Sequence, residues 1–367
     1  MDVAIATVTA KNYLSFARVL AESLRRFHPE VPLFALLSDE VDGHFDPGAE
    51  PFELLRLTDV GIPNLARFRF NYDLKQVAVA SKPYLLNSLL DRGFASVLFF
   101  DPDILILNDL EPLLSTVREH AIVLLPHLLE PLPGPGAVGR ELNIIQSGVF
   151  NAGCLGVSEK PGGRQFLRWW QKRLYEHCQN AVPEGLYYDQ RWLDLAPVFF
   201  EDVYILRDPS FNVAHWNLPE RRVAVDNDLV WVNDRPCRFF HFSGFAPDEP
   251  DRVTRYSARL AMADLGHAME LFRRYAALLD AAGYHQTKNW PYAYDRFDNG
   301  VPITETARRL YRELGEQANR FGDPLKTTQH ENFYRWLKQQ HGVVGKMRRL
   351  WWTVHKRWPN LARVWSG

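Results

Sequence analysis

The first 37 residues constrain the fold more than any other stretch. Residues 3–8 are a short, continuous apolar run, which reads as a strand buried on both faces. Asn12 can then cap a helix in which Leu14, Ala17, Leu20, Ala21 and Leu24 repeat at helical spacing. Residues 32–37 form a second apolar strand that ends at Ser38-Asp39. Strand, helix and buried strand in that order predict an α/β fold, Rossmann-like, with a mostly parallel central sheet and flanking helices. Further strands are expected at 52–57, 96–100, 121–125, 148–157, 203–206, 229–232 and 238–242. Helices are expected around 82–91, 162–178 and 189–195. Past the turn-rich residues 246–250 the pattern becomes helical, with one long amphipathic helix over 255–282. The expected organisation is a domain over 1–250 and a helical C-terminal extension over 251–367.

Charge excludes some classes and singles out one segment. The chain carries 43 Lys+Arg against 44 Asp+Glu, a net charge of −1 that does not suit a uniformly basic nucleic-acid binder. Cys154, Cys178 and Cys237 form no CxxC pair, so neither a disulfide framework nor a cysteine-based zinc site is expected. Asp2 stands where a secretory leader would carry lysines, and no run reaches about 18 apolar residues. The expectation is a cytoplasmic protein. From 335 to 367 there are eight basic residues, no acid and five of the 11 tryptophans, which leaves −9 on the rest. Val343, Met347, Leu350, Trp351, Val354 and Trp358 share one helical face, with Lys346, Arg349, Thr353 and Lys356 away from it. Such a helix suits the surface of an anionic membrane; a helix packed on the body with a solvated basic face is the other reading.

The most chemically loaded motif is Phe99-Phe100-Asp101-Pro102-Asp103. Two carboxylates leave the carboxyl end of a buried strand, where open α/β sheets place ligands. Hard oxygen donors there suit Mg²⁺ or Mn²⁺ bridging to a diphosphate. A polar turn gives the same letters. Asp39 ends a neighbouring parallel strand and can accept from a ribose or base, or equally from its own turn. In Phe239-Phe240-His241-Phe242-Ser243-Gly244 the imidazole can ligate a metal and the Ser-Gly turn can offer N–H groups to phosphate; a structural histidine reads the same way.

Taken in order, these residues resemble the GT-A fold glycosyltransferases, and most closely the retaining group around family 8. The nucleotide-holding first strand and following helix look like Thr7, Val8 and Tyr13. The D-x-D looks like Asp101-Pro102-Asp103, and the strand lining the sugar looks like Asn151-Ala152-Gly153. The Asp-Gln helix start looks like Asp189-Gln190, the metal-binding histidine and its glycine like His241 and Gly244, and the preceding basic residue like Lys82. The resemblance implies a nucleotide-sugar donor, UDP-sugar favoured, with Mn²⁺ (or Mg²⁺) on Asp101, Asp103 and His241. It implies Asp189, Gln190 and Asn151 at the reacting sugar, Asp39, Lys82 and Gly244 on the donor, and retention of configuration. One departure stands out. The family places a lysine soon after the glycine, whereas Phe245-Ala-Pro-Asp-Glu249 follows here. Lys82, Arg252 and Arg255 are the available substitutes.

Around this frame, His215-Trp216-Asn217 and Asn212 can wall a sugar site, with Trp216 as an apolar platform. Tyr187-Tyr188 reads as core or as acceptor contact. His120, His127 and His177 show no constellation. Residues 290–303 and 308–312 resemble a segment of bacterial enzymes that build surface polysaccharides, which implies a glycan or lipid-linked acceptor at the inner face of the membrane. Two other readings compete. A sugar-phosphate nucleotidylyltransferase would carry a Gly-rich basic signature that residues 7–12 lack. A non-catalytic membrane-associated scaffold would have lost metal ligands that are present here.

Overall fold

The computed structural model of the chain describes residues 2–340 apart from positions 228, 258, 259 and 267. The helix expected over 343–358 lies outside the described residues.

The chain alternates strands and helices through its first half: Val3–Thr9 (β1), Leu14–Phe27 (α1), Leu33–Leu37 (β2), Glu53–Arg56 (β3), Leu65–Asn71 (α2), Leu74–Asp91 (α3), Ser96–Phe100 (β4), Ile104–Ile106 (β5), Glu111–Glu119 (α4), Ile122–Pro126 (β6), Ala137–Ser147 (α5), Phe150–Ser158 (β7) and Pro161–Leu174 (α6). Shorter pieces follow: Asn180–Ala181 (β8), Leu186–Tyr187 (β9), Ala196–Phe199 (α7), Val203–Ile205 (β10), Val213–Ala214 (β11), Val223–Asp226 (β12), Leu229–Val232 (β13), Arg235–Pro236 (β14) and Phe239–His241 (β15). The last part is helical, with Ala268–Ala281 (α8), Tyr284–Thr287 (α9), Glu305–Glu313 (α10) and Phe333–Gln340 (α11).

A seven-stranded sheet in the order β10-β6-β7-β4-β1-β2-β3 forms the centre. All its neighbours are parallel except β7, which runs antiparallel between β4 and β6. Strands β1, β2, β4, β6 and β7 are buried along their whole length, as their unbroken apolar runs require. Leu14, Ala17, Leu20, Ala21 and Leu24 of α1 are buried on the sheet, each large side chain contributing about 1.5–3 kcal/mol. A three-stranded sheet, β11-β15-β5, lies beyond the end of β4, and β15 pairs antiparallel to β5 with His241 opposite Ile104.

Two compact units result, one of Met1–Pro63 with Leu74–Ala293 and one of Asn64–Asp73 with Tyr294–Gly367. The first unit thus runs to Ala293, past the turn-rich residues 246–250. The reason is packing: Met262, Leu271, Phe272, Tyr275, Leu279 and Tyr284 share a buried cluster with Phe16, Val19, Phe240 and Phe242. The single helix expected over 255–282 is also shorter. Met262–Leu265 is a 3₁₀ turn, Gly266 takes φ +54°, and the α-helix runs only over Ala268–Ala281. In the second unit Phe70, Phe297, Tyr311, Phe321 and Phe333 form an aromatic core. The buried Arg308 guanidinium is satisfied there by the Phe70 and Tyr294 carbonyls at 2.9 and 2.8 Å. No described helix is long and apolar enough to cross a membrane.

Candidate active site

The sheet register assembles the site. Phe100, the last residue of β4, pairs with Cys154 on β7, and the Asp101 N–H donates to the Gly153 carbonyl at 2.7 Å. Asp101 thus leaves the sheet beside Gly153. The next strand, β5, begins one residue after Asp103, and the Phe242 N–H donates to the Asp103 carbonyl at 2.8 Å. His241 is consequently delivered beside Asp103. Its Nε2 lies 3.0 Å from Asp103 Oδ1 and 4.0 Å from Asp101 Oδ2.

Asp101, Asp103 and His241 each present a donor atom within 4.8 Å of the others. Two carboxylates and one imidazole fit Mn²⁺ better than Mg²⁺, which prefers oxygen alone. The fit is supported by Asp101, whose side chain is 27% exposed and leaves the cluster open on one side. His241 Nδ1 is buried without a hydrogen-bond partner among the described residues, so Nε2 is the nitrogen directed at the carboxylates. Gly153 makes the approach possible: a Cβ there would lie against His241 Cε1 and 2.8 Å from Asp101 Oδ2.

Lys82 sits behind these carboxylates. Its ammonium lies 3.0 Å from Asp101 Oδ1, 2.9 Å from Asp189 Oδ2 and 3.0 Å from the Ala152 carbonyl. Burial disfavours this charge, but the two aspartates outweigh it and hold the pKa above the usual lysine value. The ammonium donates to the Ala152 carbonyl and forms ion pairs with both aspartates, which holds it between Asp101 and Asp189. Burial likewise works against ionisation of Asp103, but His241 and Lys82 bring its pKa below the ordinary carboxylate range.

The other sugar-side residues form one amide network. Gln190 Oε1 accepts from the Ala152 N–H at 3.2 Å, and its Nε2 donates to the Ser147 carbonyl at 3.0 Å. Asn151 accepts from the Gly153 N–H at 3.2 Å and donates to His127 Nε2 at 3.3 Å. His127 Nδ1 donates to the Val149 carbonyl at 3.1 Å, which fixes the neutral tautomer that accepts from Asn151. Burial pushes the His127 pKa down to about 4. Trp216 meets His127, His215 and His241 edge-on at 5.1, 5.1 and 5.2 Å.

Thr7, Val8 and Asp39 lie at the carboxyl ends of β1 and β2. Thr7 Oγ1 and Asp39 Oδ2 are buried without hydrogen-bond partners among the described residues. Asp39 Oδ1 accepts from the Glu40 and Ala293 N–H groups, each at 2.9 Å, so the turn and the strand end share its carboxylate. Burial raises its pKa. Lys11, fully buried, pairs with Asp42 and lies 3.7 Å from Asp39. Tyr13 stacks on Phe16 at 3.9 Å, and burial followed by the Asp103 charge keeps its hydroxyl protonated well beyond the ordinary range. Gly244, at φ +74°, packs against Thr254 and the Tyr256 ring. Its carbonyl accepts from the Arg255 N–H at 2.9 Å.

Sequence reasoning did not single out Lys11, Lys75, Tyr256 or the role of His127. Lys75 lies 4.3 Å from the Tyr188 ring and 3.3 Å from the Tyr256 hydroxyl. Of the three basic substitutes, Arg252 is occupied by Glu249 at 2.8 Å and by the Thr254 and Arg255 carbonyls. Arg255 is exposed, and its charge acts on the Tyr13 and Tyr256 hydroxyls beside the cluster.

No protein-family model matches the chain. Two uncharacterised Bacillus subtilis (strain 168) proteins are similar to it. YfnF is 27% identical over 253 residues, 67% of this chain and 82% of YfnF. YfnD is 22% identical over 201 residues, 53% of this chain and 62% of YfnD. Solved structures with a partial likeness include the galactosyltransferase LgtC in complex with donor and acceptor sugar analogues (TM-score 0.43, 18% identity, 76% of this chain and 95% of LgtC). Another is the glycosyltransferase GlyE of Streptococcus pneumoniae TIGR4 (TM-score 0.44, 15% identity, 80% of this chain and 66% of GlyE).

Proposed function

We propose that this chain is a metal-dependent glycosyltransferase of the GT-A type. It would move a sugar from a nucleotide-sugar, UDP-sugar favoured, to a glycan or lipid-linked acceptor with retention of configuration. The observation that carries the reading is the meeting of Asp101, Asp103 and His241 beside the Lys82–Asp189 pair, at the carboxyl ends of β1 and β4. A cation held there would take up the negative charge that grows on the leaving diphosphate.

The chain's own groups divide the remaining work. The strand ends at Thr7, Val8 and Asp39, with Tyr13, receive the nucleoside. The Asp189 carboxylate favours positive charge at the anomeric carbon; burial raises its pKa, and the Lys82 ammonium at 2.9 Å works against that rise and fixes its position. Gln190 and Asn151, each locked by hydrogen bonds, hold the sugar hydroxyls. Arg255 takes over the diphosphate contact that the missing lysine would make, and Gly244 brings its loop close. Synthesis of bacterial surface polysaccharide at the inner face of the cytoplasmic membrane suits the segments 290–303 and 308–312 and the basic, tryptophan-rich residues 335–367.

A thermal-shift panel of UDP-, GDP- and dTDP-sugars, with and without Mn²⁺, tests the donor class. A ligand at about a hundredfold its Kd stabilises by about 2.7 kcal/mol. The expected result is a Mn²⁺-dependent rise with one nucleotide family. No rise with any of them would refute the reading.

A further inference from the structure

Exposed apolar side chains are concentrated on one part of the first unit. Val138 (69% exposed), Leu142, Ile145 and Val149 follow at i, i+4, i+7 and i+11 along α5 and just past it. Leu195, Val198 (76% exposed) and Phe199 (54% exposed) continue from the 3₁₀ helix Gln190–Leu195 into α7. Seven of the 12 large apolar side chains exposed among the described residues fall in these two groups. Helix α5 buries none of its residues. Both groups are anchored on the amide network: Gln190 donates to Ser147 at the end of α5, and Asp194 accepts from the Val149 N–H at 2.8 Å.

Aromatic and basic groups adjoin the second group. Trp169 meets Phe199 at 5.8 Å and Trp192 at 6.0 Å, both edge-on. The Arg173 guanidinium lies 5.9 Å from the Trp169 ring and 6.0 Å from the Trp192 ring. Arg168, Trp169, Lys172 and Arg173 share a face of α6, which contains no acidic residue. Arg168, Lys172 and Arg173 are exposed, and no carboxylate pairs with them among the described residues.

Apolar tips with half-buried tryptophans and unpaired cations beside them match what an anionic bilayer surface offers. A second copy is a poorer occupant. A two-fold contact through this face would press two sets of unpaired cations together. We propose that the α5–α6–α7 face docks on an anionic membrane surface, as a contact separate from the basic residues 335–367. It would bring a lipid-linked acceptor to the Gln190 end of the site. The acceptor class rests on the glycosyltransferase reading; the docking does not.

The test is co-sedimentation of the full chain with phosphatidylcholine vesicles and with vesicles containing about 30% phosphatidylglycerol. Two exposed-site variants are compared, Val198→Asp with Phe199→Ser, and Arg168→Glu with Lys172→Glu. Each lost basic group should weaken binding to the anionic vesicles about fivefold, so the charge variant should lose about 25-fold or more. The apolar variant should bind both vesicles more weakly. Both should melt as the parent chain does and keep its Mn²⁺-dependent UDP shift. Parent-like binding by both variants would overturn the proposal. So would variants that change only the self-association mass in sedimentation equilibrium. A parent chain with surface-dependent vesicle binding but no nucleotide shift would instead sink the donor reading and leave the docking standing.

Discussion

Lys82 illustrates how a single residue holds this site together. A fully buried ammonium is costly unless paired, and here Asp101 and Asp189 flank it. Replacing Lys82 with Met should leave two carboxylates facing each other without a counter-charge. The expected loss is about 3–5 kcal/mol, read from urea unfolding. A variant as stable as the parent would show that the aspartates do not depend on it. Asp101, Asp103 and His241 were legible in the sequence because each lies at or just past the end of an apolar strand. Lys82 was legible only through resemblance, and its pairing with Asp101, Asp189 and the Ala152 carbonyl was not legible at all. Lys11 and His127 escaped for the same reason: their partners, Asp42 and Asn151, are supplied by the fold, with no signal in local spacing.

Among the elements, β7 carries the tightest steric demand. Gly153 faces His241 and Asp101, and Gly156 faces Val117 of α4, so one strand admits close neighbours on both faces. Gly153→Ala should cost about 1–3 kcal/mol through overpacking and abolish Mn²⁺-dependent nucleotide binding. Parallel calorimetric melts and nucleotide titrations would measure both; unchanged metal dependence would contradict the geometry. Long buried strands were readable from their unbroken apolar runs. Two helices were not. The segment 255–282 keeps helical periodicity, yet Gly266 at φ +54° starts the α-helix late. No element was expected over α5, whose apolar side chains Val138, Leu142 and Ile145 are exposed.

For the whole molecule, the order of strands and helices carried the fold class. Aromatic packing of α8 on Phe16, Phe240 and Phe242 takes the first unit to Ala293, a long-range effect with no signal in local spacing. Global stability should also record the buried imidazoles. Burial pushes His127 down to about 4 and His215 to about 3, against about 6.5 in the unfolded chain. The unfolded state therefore binds more protons below about pH 6.5, and these residues lower stability as pH falls toward 4. His215→Gln should flatten the decline relative to the parent in urea midpoints across that window. Parallel curves would remove His215 as a contributor.

The central claim is that Asp101, Asp103 and His241 bind a divalent cation that nucleotide binding requires. The most direct measurement is calorimetric titration of UDP with and without Mn²⁺, on the parent chain and on Asp103→Ala and His241→Ala. Mn²⁺ should tighten UDP binding at least about tenfold, or about 1.4 kcal/mol, in the parent and have no such effect in either variant. Equal Mn²⁺ dependence in all three proteins would contradict the account.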